Sequence, residues 1–357
     1  MNSITTRAWV EVDLGALLRN ARRLTERARV PLLPMVKADA YGLGAVRVAR
    51  ALEGVEPWGF GVATVDEGVE LRQAGIERPI VVFTPLLTAD LADAARARLT
   101  PTLGSRAEIA SWAYTGLPWH LAIDTGMSRA GIPWFEVAAL ADLVRAAPPE
   151  GAFTHFHSAE RDDPTRDLQE RRFDEALELL PTRPPLVHAE NSPAVEHRAP
   201  SRWDLVRPGV FLYGVASDGA MEPDPVVSLR ARIVELRTVP SGDTVSYDGT
   251  WRAAGDRRIA TLAIGYADGY RRALSNRGQA LVCGGRAPVA GLVTMDMTMI
   301  DVTAIECEVG DVATLIGAEG GARIDVADVA RIGELSPYEV LTSLRGRLPR
   351  FYTAESP

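Results

Sequence analysis

Between residues 31 and 207 the sequence repeats one pattern, a short apolar run followed by an amphipathic stretch, at intervals of roughly 20–30 residues. The runs are Pro31–Val36, Gly59–Ala63, Pro79–Phe83, Leu99–Leu103, Trp119–Ile123, Ala152–Phe156, Leu186–Ala189 and Asp204–Val206. Segments with helical spacing lie between them, among them Ala45–Leu52, Asp66–Ala74, Phe135–Ala146 and Asp167–Leu180. An apolar run without polar alternation reads as a strand covered on both faces, and strands separated by helices pair in parallel. Eight of them in tandem predict a (β/α)8 (TIM) barrel.

After Tyr213 the texture changes to strand-like runs with Gly-rich connections: Val226–Val239, Arg258–Ile264, Ala280–Cys283, Pro288–Val293, Thr298–Val302 and Val312–Ile316. These predict a mainly antiparallel β domain, with the Pro-rich stretch 218–225 as linker. The expected division is a barrel domain over 13–220 and a β domain over 221–357. An opening strand at Ala8–Val12 precedes Asp13, an N-cap for a helix over Leu14–Leu24, and residues 1–12 are expected to join the β domain.

Net charge is −8 and the arginines are spread along the chain, which argues against nucleic acid as a partner. Apolar runs never reach the roughly 20 residues of a membrane span, and the N-terminus lacks the pattern of a secretory signal, so a cytoplasmic protein without membrane contact is expected. Cys283 and Cys307 are too few and too distant for a disulfide framework or a Cys-based metal site, and no metal is expected.

Of 39 Lys and Arg residues only Lys37 is lysine. Guanidinium stays protonated, whereas an amine with a lowered pKa can attack a carbonyl and form a Schiff base. Lys37 ends the first apolar run, and in a barrel the active site is built where the strands end. Other polar residues occupy the same place: Asp124 and Arg129 after the fifth run, His155 in the sixth, Asn191 and Ser192 after the seventh, Arg207 after the eighth. The loops after strands seven and eight commonly hold phosphate, and here they offer Ser192 and the amides of Gly209 and Val210. An amine on the first strand and a phosphate cradle on the last two suit pyridoxal 5′-phosphate (PLP).

Over essentially its full length the sequence resembles the alanine racemase family. The resemblance is carried by Val36-Lys37-Ala38-Asp39-Ala40-Tyr41-Gly42, Asp124-Thr125-Gly126-Met127-Ser128-Arg129, Thr154-His155-Phe156, Asn191-Ser192, Arg207-Pro208-Gly209-Val210, Gly265-Tyr266-Ala267-Asp268-Gly269, Met295-Asp296 and Tyr338-Glu339-Val340. It implies a PLP enzyme interconverting L- and D-alanine, supplying D-alanine for peptidoglycan, and working as a homodimer with shared sites. Lys37 would bind the cofactor and act as base on one face of the substrate; Tyr266 of the partner subunit would act on the other. A planar carbanion can be reprotonated on either side only if bases flank it. A free tyrosine has a pKa of about 10, so Tyr266 needs help, which the resemblance places in His155 and Arg207. Arg207 would face the pyridine nitrogen. Tyr41, Ser192, Gly209, Val210 and Tyr338 would hold the phosphate, Arg129 and the Met295 amide would orient cofactor or carboxylate, and Asp296 with Tyr338 would narrow the entrance.

The sequence departs from the family at Ala122, where many members carry a carbamylated lysine that positions the following arginine; here Arg129 must be held by another carboxylate, by an anion such as chloride, or by nothing. Leu292 stands in place of an arginine before Met295-Asp296, Glu190 in place of a small residue, and His157 and Glu160 are further differences. These leave a broader-specificity or serine racemase as alternatives, together with a non-catalytic PLP carrier. Two further rivals are a metal-dependent hydrolase using His155, His157 and His188, which lacks a role for Lys37, and a barrel-fold decarboxylase, whose pattern puts an acid where this chain has Arg207.

Overall fold

The computed structural model describes residues 6–353 except Asp162, 218–220 and Arg345, so the first part of the expected linker lies outside the described residues. The chain opens with strand β1, Ala8–Asp13, and the helix Leu14–Ala28, which Asp13 caps by accepting the Ala16 amide at 2.9 Å. Parallel strands follow: β2 (Phe60–Val62), β3 (Ile80–Val82), β4 (Thr100–Leu103) and β5 (His120–Asp124). A two-residue strand β6 (Ile132–Pro133) hangs on β5, and β7 (Gly151–Phe153), β8 (Leu186–Asn191) and β9 (Leu205–Arg207) complete the series. The order β2-β3-β4-β5-β7-β8-β9 is that of a barrel wall, and its apolar residues are buried because helices cover them outside and side chains fill the inside.

The first apolar run is not a regular strand. Pro31 and Pro34 remove two ladder donors, so only Leu32 and Met35 form bridges, Leu32 to Val206 of β9 and Met35 to Gly61 of β2. Those bridges, with the Leu33 amide on the Val206 carbonyl and the Val36 amide on the Gly61 carbonyl, join the last strand to the first. A seven-strand TIM-type barrel therefore approaches closure through a segment that two prolines keep irregular.

The second sheet is antiparallel except at one edge. Its strands are β10 (Val227–Val239), β13 (Arg257–Leu262), β14 (Gln279–Val282), β15 (Gly285–Pro288), β16 (Thr298–Asp301), β17 (Val312–Glu319), β18 (Ala322–Ile324) and β19 (Arg350–Thr353), with a separate small hairpin of β11 (Thr244–Val245) and β12 (Trp251–Arg252). Strand β1 lies in this sheet, between β10, antiparallel, and β19, parallel. Two short helices, Val326–Gly333 and Pro337–Thr342, interrupt the β texture, each with a capping box, Asp325 with Asp328 and Ser336 with Glu339. The second helix brings Tyr338 to the barrel.

Candidate active site

One cavity of about 350 Å³ opens at the C-terminal ends of the barrel strands. Lys37, Tyr41, Arg129, His155, Ser192, Arg207, Gly209, Val210 and Tyr338 all line it, beside Ala122 and Asn191. Tyr266, Met295 and Asp296 do not; within this one chain Tyr266 and Met295 are exposed, and the Arg347 guanidinium donates to Asp296 at 2.7 Å.

Lys37 is placed by an uncommon piece of backbone. Directly after it, Ala38, Asp39, Ala40 and Tyr41 all take left-handed φ values between 52° and 57°. Left-handed turns cost L-residues about 1–2 kcal/mol each, so neighbours must hold this one. Glu67 accepts the Ala38 and Ala63 amides, each at 2.7 Å, Asp39 accepts the Ala45 amide at 2.7 Å, and Arg350 donates to the Gly42 carbonyl at 2.8 Å. The turn carries the Tyr41 ring, buried against Tyr213 with centroids 4.6 Å apart, into the cavity. Burial, and then the charge of Arg129, draw the Lys37 amine below its ordinary range, which favours the nucleophilic form.

The cradle formed by Tyr41, Ser192 and Gly209 in the same cavity is shaped for an anionic group. A Cβ on Gly209 would stand 2.4 Å from the Tyr41 hydroxyl, so only glycine lets that hydroxyl come close. Ser192 Oγ accepts the Gly209 amide at 2.8 Å and the Phe211 amide at 3.5 Å, which leaves its own proton to donate. Hydroxyl donors and a close backbone fit a phosphate, and the Lys37 amine in the same cavity fits an aldehyde. The residues present therefore fit pyridoxal phosphate.

Arg207 is fully buried at the end of β9. Its Nη2 donates to the Thr154 and Ala189 carbonyls, both at 2.8 Å, and faces His155 Nδ1 at 3.4 Å, while Phe153 and Phe83 lie against its plane. Burial pulls Arg207 down to about 9, which leaves it cationic at neutral pH. Burial and then Arg207 pull His155 down to about 3, so its ring is neutral; with Nδ1 turned to a permanent donor, its proton belongs on Nε2. Arg129 has no carboxylate within ion-pair distance among the described residues; Ala122 offers it no charge, and Glu108 and Asp124, which also line the cavity, are not paired with it.

Sequence reasoning gave no role to several residues that frame this arrangement. Phe83 and Phe153 cover Arg207, and Glu67 pins the turn after Lys37; Glu67's position three residues after Thr64 is a capping-box signal that also serves the site. Asp268, buried to 0%, holds the turn that carries Tyr266: it accepts the Gly265 amide at 3.0 Å and pairs with Arg7 at 2.7 Å and Arg347 at 3.3 Å. The hydrolase alternative finds no shared geometry. His157 is exposed and turned to Ser158, and both ring nitrogens of His188 are engaged by Arg207 and His120.

His120, His155 and His188 are all depressed chiefly by burial. Their unfolded value is about 6.5, so below it the unfolded chain binds protons that the folded chain refuses, and stability falls as pH drops from about 6.5 toward about 3. The unfolding midpoint is expected to fall by several degrees between about pH 7.5 and about pH 5. A midpoint that does not move would mean that these rings are not held neutral.

Residues 12–217 match the family described as "Alanine racemase, N-terminal domain", and residues 226–352 match "Alanine racemase, C-terminal domain". An alanine racemase of Nostoc sp. is 36% identical, with 96% of this chain and 95% of that protein aligned. The crystal structure of alanine racemase from Bacillus anthracis with bound L-Ala-P is similar at a TM-score of 0.92 and 31% identity, covering 99% of this chain and 97% of that one. The alanine racemase of Bartonella henselae with covalently bound pyridoxal phosphate aligns at a TM-score of 0.90 and 29% identity, covering 98% of this chain and all 100% of that chain. The chain belongs to the alanine racemase family.

Proposed function

We propose that the protein is a PLP-dependent racemase interconverting L- and D-alanine, with Lys37 and Tyr266 as its two bases. The observation that supports it most is that the chain's single lysine enters the same cavity as Arg207, Tyr41, Ser192 and Gly209. When bound, pyridoxal phosphate supplies an aldehyde for an amine and an electron-withdrawing ring that acidifies the Cα–H of an attached amino acid.

Tyr41, Ser192, Gly209, Val210 and Tyr338 would hold the phosphate. Arg207 is a donor only, so it would keep a facing ring nitrogen unprotonated and restrain the electron sink, which disfavours transamination. Lys37 Nζ, drawn below its ordinary range, takes or returns a proton on one face. Tyr266, exposed on its own chain, would serve the cavity of the partner subunit, where the Nε2–H of His155 would donate to its oxygen and favour the charged form. Arg129 and the Met295 amide would orient the substrate carboxylate, and Asp296 with Tyr338 would limit the side chain.

In this reading the barrel domain, 13–220, carries the cofactor, and the β domain, 221–357 joined by residues 1–12, presents Tyr266 to the partner of a homodimer. Among the described residues no helix is long and apolar enough to cross a membrane, and the proposed location is the cytoplasm, where D-alanine would feed peptidoglycan. Incubation of the PLP-loaded protein with L-alanine in D2O tests the function. Deuterium at Cα of both enantiomers is expected. Label in L-alanine alone would leave one working base, and label in neither would reject alanine and favour a carrier.

A further inference from the structure

Arg207 is joined to two side chains that do not line the cavity. Its Nη1 donates to His188 Nδ1 at 2.8 Å, and His188 Nε2 meets His120 Nδ1 at 2.9 Å. Beyond His120, its Nε2 lies 3.6 Å from Glu150 Oε2, and neither atom has a hydrogen-bond partner among the described residues. His188 lies within β8, His120 begins β5 and Glu150 directly precedes β7, whereas Arg207 ends β9. Since β5, β7 and β8 are neighbours, the line runs through the barrel interior from the cavity end to the opposite mouth. Both imidazoles are buried to 0%. Space for the line is built in: a Cβ on Gly151 would stand 2.8 Å from the His120 ring, and Phe153 stacks on His188 at 5.3 Å and 9°.

Guanidinium has donors and no acceptor. His188 Nδ1 must therefore accept, which puts the His188 proton on Nε2. That proton can be given only to His120 Nδ1, which puts the His120 proton on Nε2, aimed at Glu150. Any other assignment, or a charge on either ring, sets two N–H groups against each other at one of the short contacts. The permanent donor at one end thus fixes the tautomer of both rings, and at the other end the His120 N–H faces a carboxylate at ion-pair distance, 3.6 Å. Glu190, whose charge favours the charged form of Arg207, is itself engaged by Arg166 at 2.7 Å.

We propose that His188, His120 and Glu150 are positioning residues for Arg207: a one-way proton line, anchored at the Glu150 carboxylate, that locks the guanidinium in orientation. The line rests on the racemase reading only for its effect on turnover; its tautomers do not depend on it.

The test uses the full-length, PLP-loaded protein labelled with 15N at its five histidines. Two rings, identified by their loss in His120→Gln and His188→Gln, are expected to be neutral and protonated on Nε2. Glu150→Gln is expected to shift the signals of His120 and also of His188, which Glu150 does not touch. It should lower kcat about tenfold, as outer partners of a catalytic group commonly do, with KM and the unfolding midpoint nearly unchanged. Should the histidine variants fail to fold, Glu150→Gln at the barrel mouth still decides, since shifts confined to one ring would break the line. A proton on Nδ1 of either ring, or a Glu150→Gln protein whose His188 signals stay put, overturns the proposal. A wild-type protein that shows these tautomers and the coupled shift but does not racemise alanine overturns the racemase reading and leaves the line standing.

Discussion

Lys37→Arg is expected to remove racemisation by at least about 10⁴-fold while leaving the protein folded. Arginine keeps the positive charge beside Arg129 and Glu67, so the electrostatics of the cavity change little; what disappears is an amine that can lose its proton and attack a carbonyl. Two measurements check it together. Gel filtration should strip pyridoxal phosphate from the variant and not from the wild type, and the rate with L-alanine should fall to background. A variant that kept more than about one per cent of the rate would show that the amine of Lys37 is not the required group. No second lysine exists to replace it.

Tyr266→Phe removes a single oxygen from an exposed ring, so stability should barely move. Racemisation should nevertheless drop by about 10²–10⁴-fold, the usual contribution of a positioned acid or base. The discriminating result lies in isotope exchange: α-deuterium should still enter the enantiomer whose proton Lys37 handles, and cease to enter the other. Equal loss in both would mean that Tyr266 only shapes the cavity, and no loss would favour a carrier. Mixing Tyr266→Phe with Lys37→Arg protein adds a test of subunit sharing. If each cavity takes its tyrosine from the partner, mixed dimers regain one intact site from two inactive parents.

The barrel was legible because buried parallel strands need continuous apolar residues, and helices between them need a helical repeat; both leave marks in a single sequence. Where geometry depends on backbone strain, the marks vanish. Nothing in Val36-Lys37-Ala38-Asp39-Ala40-Tyr41 announces four successive left-handed residues, because alanine and tyrosine do not favour them and the restraint comes from Glu67, Asp39 and Arg350, the last more than 300 positions away. The stretch Phe135–Ala146 reads as one helix but forms a 3-10 segment, Trp134–Leu140, before the helix Ala141–Ala146. Short helices such as Leu91–Arg96 and Arg106–Ala113 hold too few turns to display a period. In the site, the polar residues at the strand ends pointed to one cavity, and the structure gathers them there. His120 and Glu150 sit at the opposite ends of their strands, away from the ends that build the site, and nothing local marks Asp268, whose partners Arg7 and Arg347 lie in distant segments.

Strand β1 lies between β10 and β19, so residues 8–13 complete their pairing only with residues 227–239 and 350–353. During synthesis the barrel segments leave the ribosome well before either partner of β1 exists. For that interval an apolar strand that precedes the barrel has no sheet to enter, and it must be kept from pairing with another nascent chain. A protein so arranged invites strand exchange between copies when it is made quickly, and its yield should respond to translation rate and to chaperones that shield exposed strand edges.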